Sequence, residues 1–178
     1  MNERTDATIC AWPFTSRATY TIMSLRPPDL VKRAVPGLQY ARYDLTSGTK
    51  RVPNLTGQTP VHTGTWANPF FVALPGLTNY AARLTGYLTI PADGVYTFTA
   101  RAVCGSQLWI GDRQVTTHDY VGPTVSRAGE IALAAGRHSF TIDFYRQAGI
   151  DQSQWFFIAG PNLPHPMISD GMWQHPEP

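Results

Sequence analysis

Apolar and polar residues alternate with a period of two through the middle of this chain, the spacing of strands that bury one face. In Ser139-Phe140-Thr141-Ile142-Asp143-Phe144-Tyr145, the apolar face carries Phe140, Ile142 and Phe144, and the alternation predicts that Asp143 faces solvent. Upstream, Tyr87-Leu88-Thr89-Ile90 is a β-rich run, Pro91-Ala92-Asp93-Gly94 supplies turn chemistry, and Val95 to Val103 resumes the alternation. Gln107 to Ile110 then turns at Gly111-Asp112 into Arg113-Gln114-Val115, so Gly86 to Val115 predicts two β-hairpins in series. Gln154 to Ala159 is bulky and apolar on both faces, as a core strand would be. No long helical period occurs; Leu30-Val31-Lys32-Arg33-Ala34 would make at most one short helical turn. The pattern predicts an all-β chain, an antiparallel β-sandwich with an amino-terminal arm.

The flanks read differently. Residues 1–35 hold short β-like runs, Thr8 to Trp12 and Ala18 to Leu25, followed by Pro27-Pro28, and are expected to form an arm or an extra strand pair. Its apolar residues Ile9, Trp12, Phe14, Tyr20 and Ile22 are candidates for docking onto another subunit, because a β-rich arm can add a strand to an exposed sheet edge. The sandwich is expected over residues 36–173 and a free tail over 174–178. Between Asp44 and Asn79 runs a Gly-, Pro-, Thr- and Asn-rich stretch of little periodicity; loops of that length are usually functional or docked.

Composition narrows the partners. The chain has 178 residues, about one domain, with 43% hydrophobic and only 15% charged residues, enough apolar material for a substantial core. A net charge of +2 without any basic run gives no support for nucleic-acid binding. No apolar stretch approaches the roughly 20 residues that cross a bilayer, and Met1 to Asp6 lacks the basic start and apolar run of a secretion signal. Cys10 and Cys104 lie far apart without C-x-x-C spacing, which argues against zinc or redox chemistry; one disulfide or two buried thiols both remain open.

Five segments in order resemble the PA-fourteen-type domain, a β-sandwich module named after anthrax protective antigen and found in yeast flocculins and beside bacterial glycosidases. They are Pro36-Gly37-Leu38-Gln39-Tyr40-Ala41-Arg42-Tyr43, Tyr80 to Leu88, the hairpins of Gly86 to Val115, Gly129 to His138 (similar to G-x-I-x-L-x-A-G-x-H), and Gly160-Pro161. The resemblance implies a sandwich and, in most characterised members, non-catalytic sugar binding. In sugar-binding members two consecutive aspartates before Gly-Ser hold a calcium ion that ligates sugar hydroxyls. Here Val103-Cys104 stands in that place. Calcium takes about six to eight oxygen ligands, and neither side chain offers one, so no metal and no cofactor is expected.

Enzyme signatures are missing: the chain has no G-x-S-x-G elbow, no H-E-x-x-H helix and no phosphate-binding Gly-rich loop, and no catalytic residue is assigned. Two functions fit. One is a structural or surface-decoration component of a larger assembly, a phage virion or extracellular fibre, with other protein subunits as partners and glycans as a further contact. The other is a calcium-independent carbohydrate-binding module of a glycosidase or adhesin. The contact residues expected for glycan or partner are Trp66, Asn68, Phe70, Gln107, Trp109, Asp119 and Tyr120: aromatic faces for stacking and polar groups for hydrogen bonds, on loops at one end of the sandwich. The expected location is a virion or an extracellular surface, with no membrane insertion.

Overall fold

The computed structural model describes residues 24–46, 48–69, 71–72, 77–148, 153–163 and 170–177. The arm candidates Ile9, Trp12, Phe14, Tyr20 and Ile22, together with Cys10 and Phe70, lie outside the described residues.

The described chain is built of strands: β1 (Ala34–Pro36), β2 (Leu38–Asp44), β3 (His62–Trp66), β4 (Phe71–Val72), β5 (Tyr80–Ile90), β6 (Gly94–Ala102), β7 (Ser106–Ile110), β8 (Arg113–His118), β9 (Val125–Leu133), β10 (Gly136–Arg146), β11 (Ser153–Ala159) and β12 (Trp173–Pro176). They form two antiparallel sheets. The larger runs β1-β12-β5-β10-β7-β8, with β2 pairing the first half of β5 and β3 pairing β2; the smaller runs β4-β11-β6-β9. The antiparallel β-sandwich read from the alternation is what the chain adopts.

Of the two predicted hairpins one is present, β7–β8 around Gly111-Asp112; the other is corrected, because β5 and β6 do not pair and Pro91-Ala92-Asp93 instead carries the chain from the larger sheet to the smaller. Gly111 adopts a φ of 61°, the left-handed conformation that a two-residue hairpin turn requires and glycine supplies without a Cβ penalty. Residues 30–34 form no helical turn; the segment bends at Lys32 and leads into β1.

Period-two alternation assigns the two faces of each sheet. Leu84 and Leu88 of β5, Phe140 and Ile142 of β10, and Leu108 and Ile110 of β7 meet Tyr96 and Phe98 of β6, Ile131 and Leu133 of β9, and Ile158 of β11, all almost fully buried. Trp173 of β12 closes this core, its ring 4.8 Å from Phe140 and nearly edge-on. The segment expected as a free tail is therefore partly strand: Gln174, His175 and Pro176 pair with β1, because burying Trp173 brings the following backbone to an open sheet edge.

Residues 24–33 are tied to the sandwich. Arg26 bridges Leu133, and its guanidinium bonds His138 Nδ1 at 2.8 Å and Asp29 Oδ1 at 2.7 Å, while Asp29 Oδ2 accepts from the Ser139 amide.

At the join of the sheets, the β7–β8 ladder slips by one residue after Leu108, leaving Val115 as the extra residue. A Cβ on Gly129 would stand 1.8 Å from the Val115 carbonyl oxygen, so β9 approaches β8 there only because position 129 lacks a side chain.

Candidate functional site

The outer face of the larger sheet is not uniformly solvated. Its alternate residues begin with Tyr43, Ala81 and Tyr145, and onto these the loop after β2 lays Leu55, 1% exposed, with Cys104 completing a second buried cluster. Val52 and Val121 pack around it.

The loop has its own bracing. Asn54 Oδ1 accepts from the Thr56 amide at 3.0 Å, Gln58 Nε2 donates to the Asn54 carbonyl, and Asp119 Oδ1 accepts from the Val52 amide at 2.8 Å. Gly105 permits the close fit, since a Cβ there would come within 2.8 Å of Val52 and 2.7 Å of Tyr145.

Beside this plug, the sheet and the loop enclose a pocket of about 560 Å³, walled by Val52, Pro53, Asn54 and Thr56 and floored by Arg83, Asp143, Gln107, Thr141 and Trp109. Strand register builds the floor. Arg83 of β5 lies opposite Asp143 of β10, which lies opposite Gln107 of β7; one step along, Thr141 lies opposite Trp109. Arg83 donates from Nε to Asp143 Oδ1 at 2.6 Å and from Nη2 to Oδ2 at 2.7 Å, a two-pronged pair that fixes both planes. This pair raises the Arg83 pKa, chiefly through the hydrogen bonds it donates to Asp143 and against the opposing effect of burial. Asp143 is only 2% exposed.

The expectation that Asp143 faces open solvent is thus corrected. It does lie on the polar face, but the plug loop and the arginine cover it.

The site residues expected from sequence do not all converge. Gln107 and Trp109, both half-buried, line the pocket. Asp119 stands behind its wall, holding the Val52 amide and lying 3.9 Å from Arg51. Tyr120 is 45% exposed, with its ring 4.4 Å from that of buried His118, and its hydroxyl accepts from Arg127 at 3.4 Å. Trp66 ends β3 with its ring 5.6 Å from Tyr40 and packs against the main core, so it is no open stacking platform. Asn68 follows in the turn after β3 and is half-buried. An aromatic patch on the loops is therefore not what these residues form; the indole and amide that share a pocket sit on the sheet itself.

Sequence reasoning missed Arg83, Thr141, Asn54 and Thr56. The cross-strand opposition of an arginine and an aspartate could have been found by pairing β5 with β10, but the covering loop has no periodic signal to place it.

In the place of the family's aspartate pair, Cys104 belongs to the apolar cluster around Leu55. Among the described residues no group of three or more His, Cys, Asp or Glu side chains is arranged to hold a metal ion. No described helix is long and apolar enough to cross a membrane.

The family model for the PA14 domain matches residues 34–156. No curated protein matches the chain. Among solved structures, the PA14 domain of the MpAFP antifreeze protein superposes with a TM-score of 0.69 at 15% identity, covering 85% of this chain and 97% of that one. A PA14 sugar-binding domain from an RTX adhesin superposes at 0.67 and 17% identity, over 80% and 99%. The Epithelial Adhesin 9 A domain from Candida glabrata, in complex with Galb1-3GlcNAc, superposes at 0.63 and 13% identity, over 86% and 96%. At these identities the likeness is one of fold.

Proposed function

The chain belongs to the PA14 domain family, and from that premise we propose that it is a non-catalytic carbohydrate-binding module that acts without calcium, at an extracellular surface. The observation that carries this reading is the composition of the pocket on the outer sheet face. An Arg–Asp fork, an amide, a hydroxyl and an indole form its floor, and Asn54 and Thr56 add an amide and a hydroxyl to its wall. Sugars present hydroxyls as both donors and acceptors and apolar C–H faces, and such a lining answers each. The fork keeps Arg83 and Asp143 in place before a ligand arrives, which lowers the ordering cost of binding. Two solved relatives support the direction: the RTX adhesin domain is described as sugar-binding, and the Candida glabrata domain was solved with a disaccharide.

The pocket argues for binding rather than cleavage. Asp143 is the only carboxylate among its described lining residues, and both its oxygens accept from Arg83. Glycoside hydrolysis needs two carboxyl groups about 5 to 10 Å apart, one of them available to move a proton.

The reading as a virion or fibre component rests on Ile9, Trp12, Phe14, Tyr20 and Ile22, all outside the described residues. The described part of the arm is bonded to its own sandwich. Glycan binding is therefore the function we put first.

The test is a glycan array probed with the full chain in calcium and in excess chelator, alongside Gln107→Ala and Trp109→Ala. The same glycans should be retained in both buffers. Each substitution removes interactions worth about 1 kcal/mol, a several-fold loss of affinity. Binding abolished by the chelator, or unchanged in both variants, would contradict the proposal.

A further inference from the structure

Resting on the carbohydrate reading, the geometry points to a ligand longer than the first pocket: we propose that the outer face of the larger sheet is a continuous groove for a linear, uncharged oligosaccharide, running across β7, β10, β5, β2 and β3.

A second pocket, of about 440 Å³, adjoins the first and shares Arg83 with it; Gln39, Thr63, Thr65 and Thr85 are among its lining residues. Strand register joins the two. Trp109 is opposite Thr141, Thr141 opposite Thr85, Thr85 opposite Gln39, and Gln39 opposite Thr65. Beside that row runs another, Gln107, Asp143, Arg83, Ala41 and Thr63, paired in the same way. Five strands thus present two adjacent lines, one residue from each strand per line, and every member except Ala41 carries a polar group.

Neighbouring strands lie about 4.8 Å apart, so five of them span roughly 19 Å. That exceeds one pyranose several times over, and the interval between strands is close to the length of one sugar unit along a linear glycan. A chain laid across the strands meets a donor or acceptor at nearly every unit.

Charge selects the class. The described lining of the two pockets together contains one arginine and one aspartate, and these neutralise each other; His175, in the second pocket, is buried. A uronate or a sialylated glycan would find no spare cation on this floor, whereas hydroxyls can bond to the part of the fork that the ion pair leaves unused. The Arg83–Asp143 pair is the hinge of the arrangement, being the floor of the first pocket and the border of the second.

The experiment is calorimetric titration of the full chain with the cello-, xylo-, malto- and chito-oligosaccharide series, from one unit to six, together with the leading array glycan. Gln39→Ala, at an exposed position on β2, separates the second pocket from the first. Affinity should rise at least tenfold from the disaccharide to the tetrasaccharide in one series. Gln39→Ala should remove most of that rise and leave disaccharide binding unchanged, while Gln107→Ala should weaken both. Affinity independent of length, or Gln39→Ala without effect on the tetrasaccharide, would overturn the groove while leaving a single-sugar site standing. No binding by any of these glycans would overturn the carbohydrate reading and the groove with it.

Discussion

Arg83 and Asp143 face each other across β5 and β10 and close a two-pronged ion pair of 2.6 and 2.7 Å on the outer face of the larger sheet, beside the Leu55 plug. The pair is both scaffold and floor. Its aspartate is buried and its arginine side chain 25% exposed, so removing either partner strands a charge that water reaches poorly.

Asp143→Ala should therefore destabilise the fold by about 3 kcal/mol, seen as a lower urea midpoint at unchanged m-value. Arg83→Met combined with Asp143→Leu should recover most of that loss and still fail to bind sugar. A double variant that regains both stability and binding would remove the pair from the site.

Leu55 is the side chain that plants the loop on the sheet. Leu55→Ala should cost roughly 2 to 4 kcal/mol through lost burial and the cavity left behind, and amides of residues 52–58 should exchange faster in hydrogen-exchange experiments while those of β10 stay protected. Uniform loss of protection would mean that the loop is integral to the core rather than a plug upon it.

How far the sequence reached is visible at these positions. Alternation through β10 placed Phe140, Ile142 and Phe144 inside, where they lie, whereas Gln107 and Trp109, expected on loops at one end of the sandwich, line the pocket from within β7. The same rule misread the surroundings of Asp143, because period two distinguishes core from outer face and knows nothing of a loop that later covers the outer face. Trp66 failed in the other direction. Its place in a Gly- and Pro-rich stretch suggested an open platform, but pairing of β3 with β2 lays it against Tyr40.

Acid should loosen the clasp between residues 26–29 and the β9–β10 corner. His138 is fully buried; burial first, with Arg26 nearby opposing a positive charge, holds its pKa below the ordinary 6.5, while the Ala134 carbonyl and Asp29 partly offset this. A depressed histidine takes up its proton more readily when unfolded, so stability is complete above pH 6.5 and declines as pH falls through and below that value. Asp29 adds a second loss further down: burial raises its pKa, but hydrogen bonds from Arg26 and Ser139 outweigh this and leave it below 3.8. Thermal midpoints measured from pH 8 to pH 3 should fall first below 6.5 and again near 4, and His138→Gln should flatten the first descent.

Gly129→Ala tests the contact between the sheets' edges. A methyl group there would collide with the Val115 carbonyl oxygen, backbone that cannot swing aside as a side chain would. A loss of about 2 to 3 kcal/mol is expected, read by chemical denaturation; a neutral substitution would show that the extra residue in β8 shifts freely.

Whether sugar sits on the outer sheet face beside the Arg83–Asp143 fork is decided by nuclear magnetic resonance titration of the labelled chain with its leading array glycan in the presence of chelator. The Trp109 indole N–H, the Gln107 side-chain amide and the backbone of Arg83 and Thr141 should shift together and saturably. Shifts confined to Val103 and Cys104, which stand in place of the aspartate pair that the resemblance assigns to calcium, and to Gly122, whose amide bonds the Val103 carbonyl, would rule it out.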